Sequence, residues 1–98
     1  MANAYWIAHI TIHDLEGFKA YPPESTKVVT QHGGRFLSRG GKAQLLEGEL
    51  RERHVIVEFD SFDAAIACYN SPEYAAARSL RTPYSDGDIV IIEGLAQI

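Results

Sequence analysis

Two stretches of this chain are apolar at alternate positions and also at the positions between them. From Ala4 to Ile12 an extended strand carries Trp6, Ala8, Ile10 and Ile12 on one face and Tyr5, Ile7 and His9 on the other, because successive side chains of a strand point to opposite sides. Near the other end, Ile89-Val90-Ile91-Ile92 is apolar in both parities. A strand of this kind wants cover on both faces, so the sheet that contains it must be packed on each side. With 98 residues the chain has the size of one domain, enough to bury an ordinary core without disulfides or metal.

Between these strands the punctuation is clear. Asp14 is an N-cap for a helix from about Leu15, which Pro22-Pro23 interrupts; Pro23 starts a second helical segment through Val28 and Val29 to His32. Gly33 supplies a left-handed stop. A strand from Arg35 to about Arg39 meets Gly40-Gly41, a bulge or tight turn, with Lys42 to Leu46 as an extended arm or hairpin leg and Glu47 to Arg51 as a polar loop. His54 to Phe59 is the third strand. Ser61 caps a helix with Phe62, Ala65, Ile66 and Tyr69 at helical spacing, Asn70 ends it, and Ser71-Pro72 starts another through Leu80. Pro83, Asp86 and Gly87 read as turn residues before a last strand from Ile89 to Glu93.

Strand, helix, strand, strand, helix, strand is the order of a ferredoxin-like α+β domain, βαββαβ with a four-stranded antiparallel sheet. Two right-handed crossovers put both helical segments on one side. The other side then stays open and apolar, beyond what a monomer exposes, and a second copy related by a two-fold axis is the expected cover. The chain is therefore predicted to form a homodimer.

Composition narrows the partners. Apolar residues at 46% and charged residues at 22% fit a soluble globular domain. A net charge of −4 with nine scattered Lys and Arg offers no basic footprint for nucleic acid. Cys68 is a lone cysteine and no cationic, apolar leader precedes the first strand, so a cytoplasmic location is the default expectation. No stretch approaches the roughly 20 apolar residues of a spanning helix, and no membrane contact is expected.

The pattern His32-Gly33-Gly34-Arg35-Phe36-Leu37-Ser38-Arg39-Gly40-Gly41, with Leu46-Glu47-Gly48, Glu58-Phe59, Tyr69-Asn70-Ser71-Pro72-Glu73-Tyr74 and Glu93-Gly94-Leu95, resembles the bacterial proteins grouped as domain of unknown function 1330 (DUF1330), over nearly the whole chain. The resemblance implies the dimeric α/β barrel, in which two ferredoxin-like sheets face each other with helices outside. Proteins with that barrel include cofactor-free quinol monooxygenases, muconolactone isomerases and heme-binding enzymes, so the fold alone names no chemistry. Pro22-Pro23 interrupts what is usually one continuous first helix there, and Tyr69 stands where tryptophan is common.

Several residues carry candidate chemistry. Glu58 and His9 sit in otherwise apolar neighbouring strands; on one face they would form a carboxylate–imidazole pair, with Glu58 as a general base. Alternatively Glu58 pairs across strands with Arg35 or Arg39. His32, at a helix C-terminus, is either an acid or substrate clamp favoured by the dipole or a capping contact. Arg35 and Arg39, on one strand face, would clamp a carboxylate bidentately or make salt bridges. Asn70, Ser71, Tyr74 and Arg78 form a second polar cluster that would line a pocket mouth between Trp6 and Tyr69; in the plainer reading Ser71 is a cap and Tyr74 packs on the sheet. His9 and His13 are about 13 Å apart on an extended chain, too far to share one metal ion, so no metal is expected. Cys68 reads as packing. The leading expectation is an enzyme acting without a bound organic cofactor on a small aromatic or carboxylated metabolite. The alternative is a non-catalytic small-molecule-binding or stress-related protein.

Overall fold

The computed structural model describes residues 2–96. Its sheet is built on β1 (Ala4–Ile12), which pairs antiparallel with β3 (Arg53–Phe59) on one side and β4 (Ser85–Glu93) on the other, while β2 (Arg35–Arg39) adds to the outer edge of β3. The order β2-β3-β1-β4 and the antiparallel ladders are those of the ferredoxin-like α+β fold. The helices are α1 (Leu15–Phe18), α2 (Tyr21–Gln31), α3 (Phe62–Tyr69) and α4 (Pro72–Arg78).

Each helical start has the chemical cause expected of it. The side chains of Asp14, Ser61 and Ser71 accept from the backbone N–H groups of Gly17, Ala64 and Tyr74, satisfying donors that a helix leaves free. Pro22 and Pro23 fall in the first turn of α2, where a missing N–H is harmless. The helix starts at Tyr21, two residues earlier than expected.

One face of the sheet packs on the helices. Ala4, Trp6, Ala8 and Ile10 of β1 and Val55, Val57 and Phe59 of β3 are buried there with Phe18, Val28, Val29, Ala65, Cys68, Tyr74 and Ala77. Trp6 is central: its ring stacks on Phe59 with centroids 6.4 Å apart and meets Tyr69 and Tyr74 edge-on at 5.4 and 4.8 Å. On the opposite face the cross-strand partners Tyr5, Ile7, Ile56, Val90 and Ile92 form an apolar stripe, in which Val90 and Ile92 are 53% and 52% exposed. The helices thus shelter one side of the sheet and leave an apolar one uncovered.

Other features also differ from the sequence reading, among them the start of β3, at Arg53 rather than His54. β4 begins at Ser85, with Ser85, Asp86, Gly87 and Asp88 paired to Ile12, Thr11, Ile10 and His9; their turn-like chemistry sits on an edge strand, and a Cβ at Gly87 would approach the His9 carbonyl oxygen to 3.2 Å. α4 ends at Arg78, two residues short of Leu80. Lys42 to Leu46 pairs with no strand, and the loop exposes Leu45, Leu46 and Leu50. The sheet irregularity lies not at Gly40-Gly41 but between Phe36 and Ser38, where the β2–β3 register shifts. Among the described residues no helix is long and apolar enough to cross a membrane.

Phe59 is fully buried at the meeting of β3, α2 and Trp6. Phe59→Ala is expected to lower stability by about 3–5 kcal/mol, read as a fall in the urea midpoint with an unchanged m-value.

Candidate functional site

Between the sheet and the helices lies a cavity floored by Trp6, Ala8 and Val55 and walled by Phe18, Tyr21 and Phe36. Ala8 stands between Trp6 and Ile10 on the inward face, and its small side chain leaves space that a larger one would fill. The volume is about 30 Å³, where one water needs roughly 10–15 Å³; the enclosed space admits a group the size of a carboxylate, and because the cavity is only partly enclosed a larger body would extend through its open side.

Three guanidinium groups line this cavity: Arg39, Arg53 and Arg81. Arg39 is clamped to α2, donating to Thr26 Oγ1 at 2.6 Å, Ser25 Oγ at 2.8 Å and the Pro22 carbonyl oxygen at 3.0 Å, and it lies 3.9 Å over the Phe36 ring. Burial pulls it below its ordinary pKa, and the charge of Arg53 adds to that pull. Arg53, at the start of β3, has a buried Nε without an acceptor. Arg81, in the turn after α4, is 7% exposed; its Nη2 donates to the Tyr74 hydroxyl at a long 3.4 Å, its face lies over Tyr21, and its Nε also lacks an acceptor. The Tyr21 and Tyr74 hydroxyls are 2.7 Å apart. Burial, with Tyr21 next, pushes the Tyr74 phenol far above its ordinary value, so Tyr74 offers polar oxygen without charge.

The residues expected as proton carriers lie elsewhere. Glu58 is on the open face, where its carboxylate accepts from Arg35 Nε and Asn3 Nδ2 at 3.1 Å and from the Tyr5 hydroxyl at 3.2 Å. Arg35 bridges it to Asp60. The hydrogen bond from Arg35, then that from Asn3, holds Glu58 below the usual carboxylate range, the direction opposite to a base raised by burial. His9 shares that face but stands beside His54, ring nitrogens Nδ1 2.9 Å apart. The register pairs Tyr5 with Glu58 and His9 with His54, which separates His9 from Glu58 by four residues, about 13 Å of strand. His32 is the C-cap of α2, its backbone N–H donating to the Val28 and Val29 carbonyls.

Arg35 and Arg39 do not share a face. The register shift at Leu37 turns the alternation over, so Arg35 meets Glu58 on the open side while Arg39 points to α2. Ser71 donates to the Cys68 carbonyl while capping α4, and Asn70 is the exposed C-cap of α3. Arg78 lies over Tyr69 and Tyr74 at 5.1 and 5.9 Å; these aromatic rings back Trp6, and of that group Trp6 lines the cavity. Burial raises the Cys68 thiol to about 11, as befits packing. Among the described residues no group of three or more His, Cys, Asp or Glu side chains is placed to hold a metal ion.

Sequence reasoning missed Arg53, Arg81 and Tyr21. For Arg53 a signal existed: it shares parity with Val55, Val57 and Phe59, which puts an arginine on the inward face of β3.

The family model for Domain of unknown function (DUF1330) matches residues 3–95. The chain belongs to the DUF1330 family. Among solved structures, this DUF1330 protein is similar to RPA0582, a protein of unknown function from Rhodopseudomonas palustris, at 18% identity and TM-score 0.75, covering 98% of this chain and 85% of that one. It is also similar to SnoaB, a cofactor-independent oxygenase from Streptomyces nogalater, at 12% identity and TM-score 0.68 over 100% and 98% of the two chains. A dimeric protein of unknown function and ferredoxin-like fold from Bacteroides fragilis matches at 15% identity and TM-score 0.58, over 94% and 96%. No curated protein matches the chain. At these identities the likeness to solved structures is one of fold.

The Glu58 pairing has a pH signature. A carboxylate held low in the folded state stabilises above its unfolded pKa, and that stability is lost as pH falls through the folded value. The stability difference between the parent protein and Glu58→Gln should therefore be constant at neutral pH and vanish at pH values below the usual carboxylate range, measured as urea midpoints across an acid series.

Proposed function

We propose that this DUF1330 protein is a homodimer that takes a small aromatic or carboxylated metabolite into the cavity of each protomer and acts on it without a bound organic cofactor. The observation that carries the reading is the cavity itself: apolar walls with a few convergent polar groups, contributed by β2, β3, the start of α2 and the turn after α4, are the usual make-up of a small-molecule site. Catalysis there would rest on orienting the bound molecule and stabilising its anionic form by guanidinium charge. Glu58, His9 and His32 line no part of the cavity, and in this reading they serve the open face and the helix end.

The apolar stripe on the open face supports the dimer, since a second copy would bury what the helices leave bare. Neighbours from Bacteroides fragilis and Thermobifida fusca are themselves described as dimeric with ferredoxin-like folds. One observation favours a second reading, the non-catalytic binding protein: neither a carboxylate nor an imidazole is among the side chains that line the cavity.

Light scattering at micromolar concentration should give a dimer mass, and Val90→Glu with Ile92→Glu should give a monomer. A dimer that survives the double change would refute the open-face interface. For the cavity, a panel of small aromatic acids, phenols and their neutral amides should include compounds that raise the melting temperature. At ten times Kd the stabilisation is about 1.4 kcal/mol, on the order of 5–10 °C for a domain of this size. Ala8→Leu, which fills the space, should abolish the shift. Turnover of a binding compound in the parent protein supports the enzyme reading; binding without turnover supports the second.

A further inference from the structure

We propose that the cavity is a carboxylate site, in which Arg53 and Arg81 bind the acid group of a small monocarboxylic acid, Arg39 supplies a fixed third positive charge, and the aromatic and aliphatic walls hold its apolar body. The inference rests on the cavity being a small-molecule site and adds the chemical class of the ligand.

The argument begins with the way this molecule treats its other arginines. Arg35 is paired with Glu58 and Asp60, and Arg51 with Asp88, all on the outer surface, while Arg78, outside the cavity and without an ion pair among the described residues, lies over the Tyr69 and Tyr74 rings. Arg39, Arg53 and Arg81 make no ion pair among the described residues, although the chain has thirteen acidic residues against nine basic ones. A buried charge is ordinarily paired, and a buried charged donor without an acceptor is costly. Three guanidinium groups collected around one space, in a protein whose net charge is −4, form a local positive field that the rest of the chain does not neutralise.

The two orphaned atoms belong to side chains that line the cavity. The Nε atoms of Arg53 and Arg81 are both buried and both lack an acceptor, while both side chains line the same cavity. Arg81 is more than nine-tenths buried, so water outside the cavity does not meet its need. Its Nη2 reaches the Tyr74 hydroxyl at 3.4 Å, at the limit of a useful hydrogen bond, and the Tyr21 ring lies under its face. Arg39, by contrast, already has three neutral oxygen acceptors. It is held in place and contributes charge more than free donors.

Size and wall chemistry select among anions. Phosphate and sulfate are strongly hydrated and ask for donors on all sides, whereas Trp6, Phe18, Val55 and Ile89 present carbon on most of this surface. A carboxylate asks for a planar fork of donors, which a guanidinium matches, and its organic remainder gains from the apolar walls.

The test compares isosteres that differ in charge. Titrated into the dimeric parent protein at neutral pH, benzoate should raise the melting temperature and benzamide at equal concentration should not; acetate against acetamide repeats the comparison for a smaller body. Arg53→Gln and Arg81→Gln should each weaken benzoate binding roughly tenfold to a hundredfold, and the Nε–H NMR signals of Arg53 and Arg81 in the parent should move on adding benzoate. Should Arg81→Gln fail to fold by circular dichroism, Arg53→Gln, Arg53→Lys and the NMR titration decide the matter. Equal binding of benzamide and benzoate, or benzoate binding unchanged in Arg53→Gln with both Nε–H signals still, would overturn the carboxylate site while leaving the cavity reading intact. Inorganic phosphate binding more tightly than benzoate would overturn the choice of anion. No shift with any acid, amide or phenol would overturn the cavity reading as well.

Discussion

The double pairing of β1 constrains everything else in the molecule. Because this strand is hydrogen-bonded to β3 on one side and β4 on the other, its parity sets the parity of its neighbours, and a slip by one residue would exchange their faces. With Trp6 inward, Val55, Val57, Phe59, Ile89 and Ile91 are inward too, and Tyr5, Ile56, Glu58, Val90 and Ile92 are outward. Trp6 holds that choice in place. It fills the space under α3 and α4 through Tyr69, Tyr74 and Phe59, and an outward Trp6 would leave the centre of the core empty.

From this parity the chain acquires two surfaces of different use. The inward face is closed by helices except where Ala8 leaves room, and the arginines converge there from β2, β3 and the turn after α4. The outward face carries an apolar stripe with polar residues along it, Glu58 with Arg35 and His9 with His54. An assembly through the outward face would leave the inward cavities untouched, so association and the proposed ligand binding would draw on separate sets of side chains.

The architecture was legible in the sequence because its signals are local. Asp14, Ser61 and Ser71 cap helices by bonds spanning three residues, Pro22-Pro23 breaks a helix through its own ring, and both-parity apolarity in β1 and β4 announces a sheet with one uncovered side. The site was legible only in part, because its signals depend on register. Even spacing put Arg35 and Arg39 on one face, but the shift at Leu37 reverses the alternation, and nothing in Phe36-Leu37-Ser38 marks it chemically. Glu58 attracted attention as a charge in an apolar strand, yet its neighbours Asn3 and Tyr5 come from the N-terminal segment and Arg35 from β2. Arg81 follows a short helix in a run of turns, where local patterning does not tell inside from outside. Arg53 was the readable one, since the parity that buries Val55 and Val57 also turns Arg53 inward.

The contrast between the two sets of arginines follows from what water can reach. Arg35 is exposed and its ion pairs are screened, so they add little stability but fix the edge of the sheet. Arg81 is buried and Arg39 and Arg53 are half-buried, and burial first, then the charge of Arg53, lowers the pKa of Arg39, so holding these charges there carries a desolvation cost. Selection for stability alone would favour an apolar residue or a paired charge at such positions. Under the proposed carboxylate site, a cluster of positive charge without a carboxylate among the cavity's lining side chains would serve binding rather than stability. In that proposal a negatively charged occupant would offset this cost, and occupancy of the cavity would be coupled to the stability of the core around it.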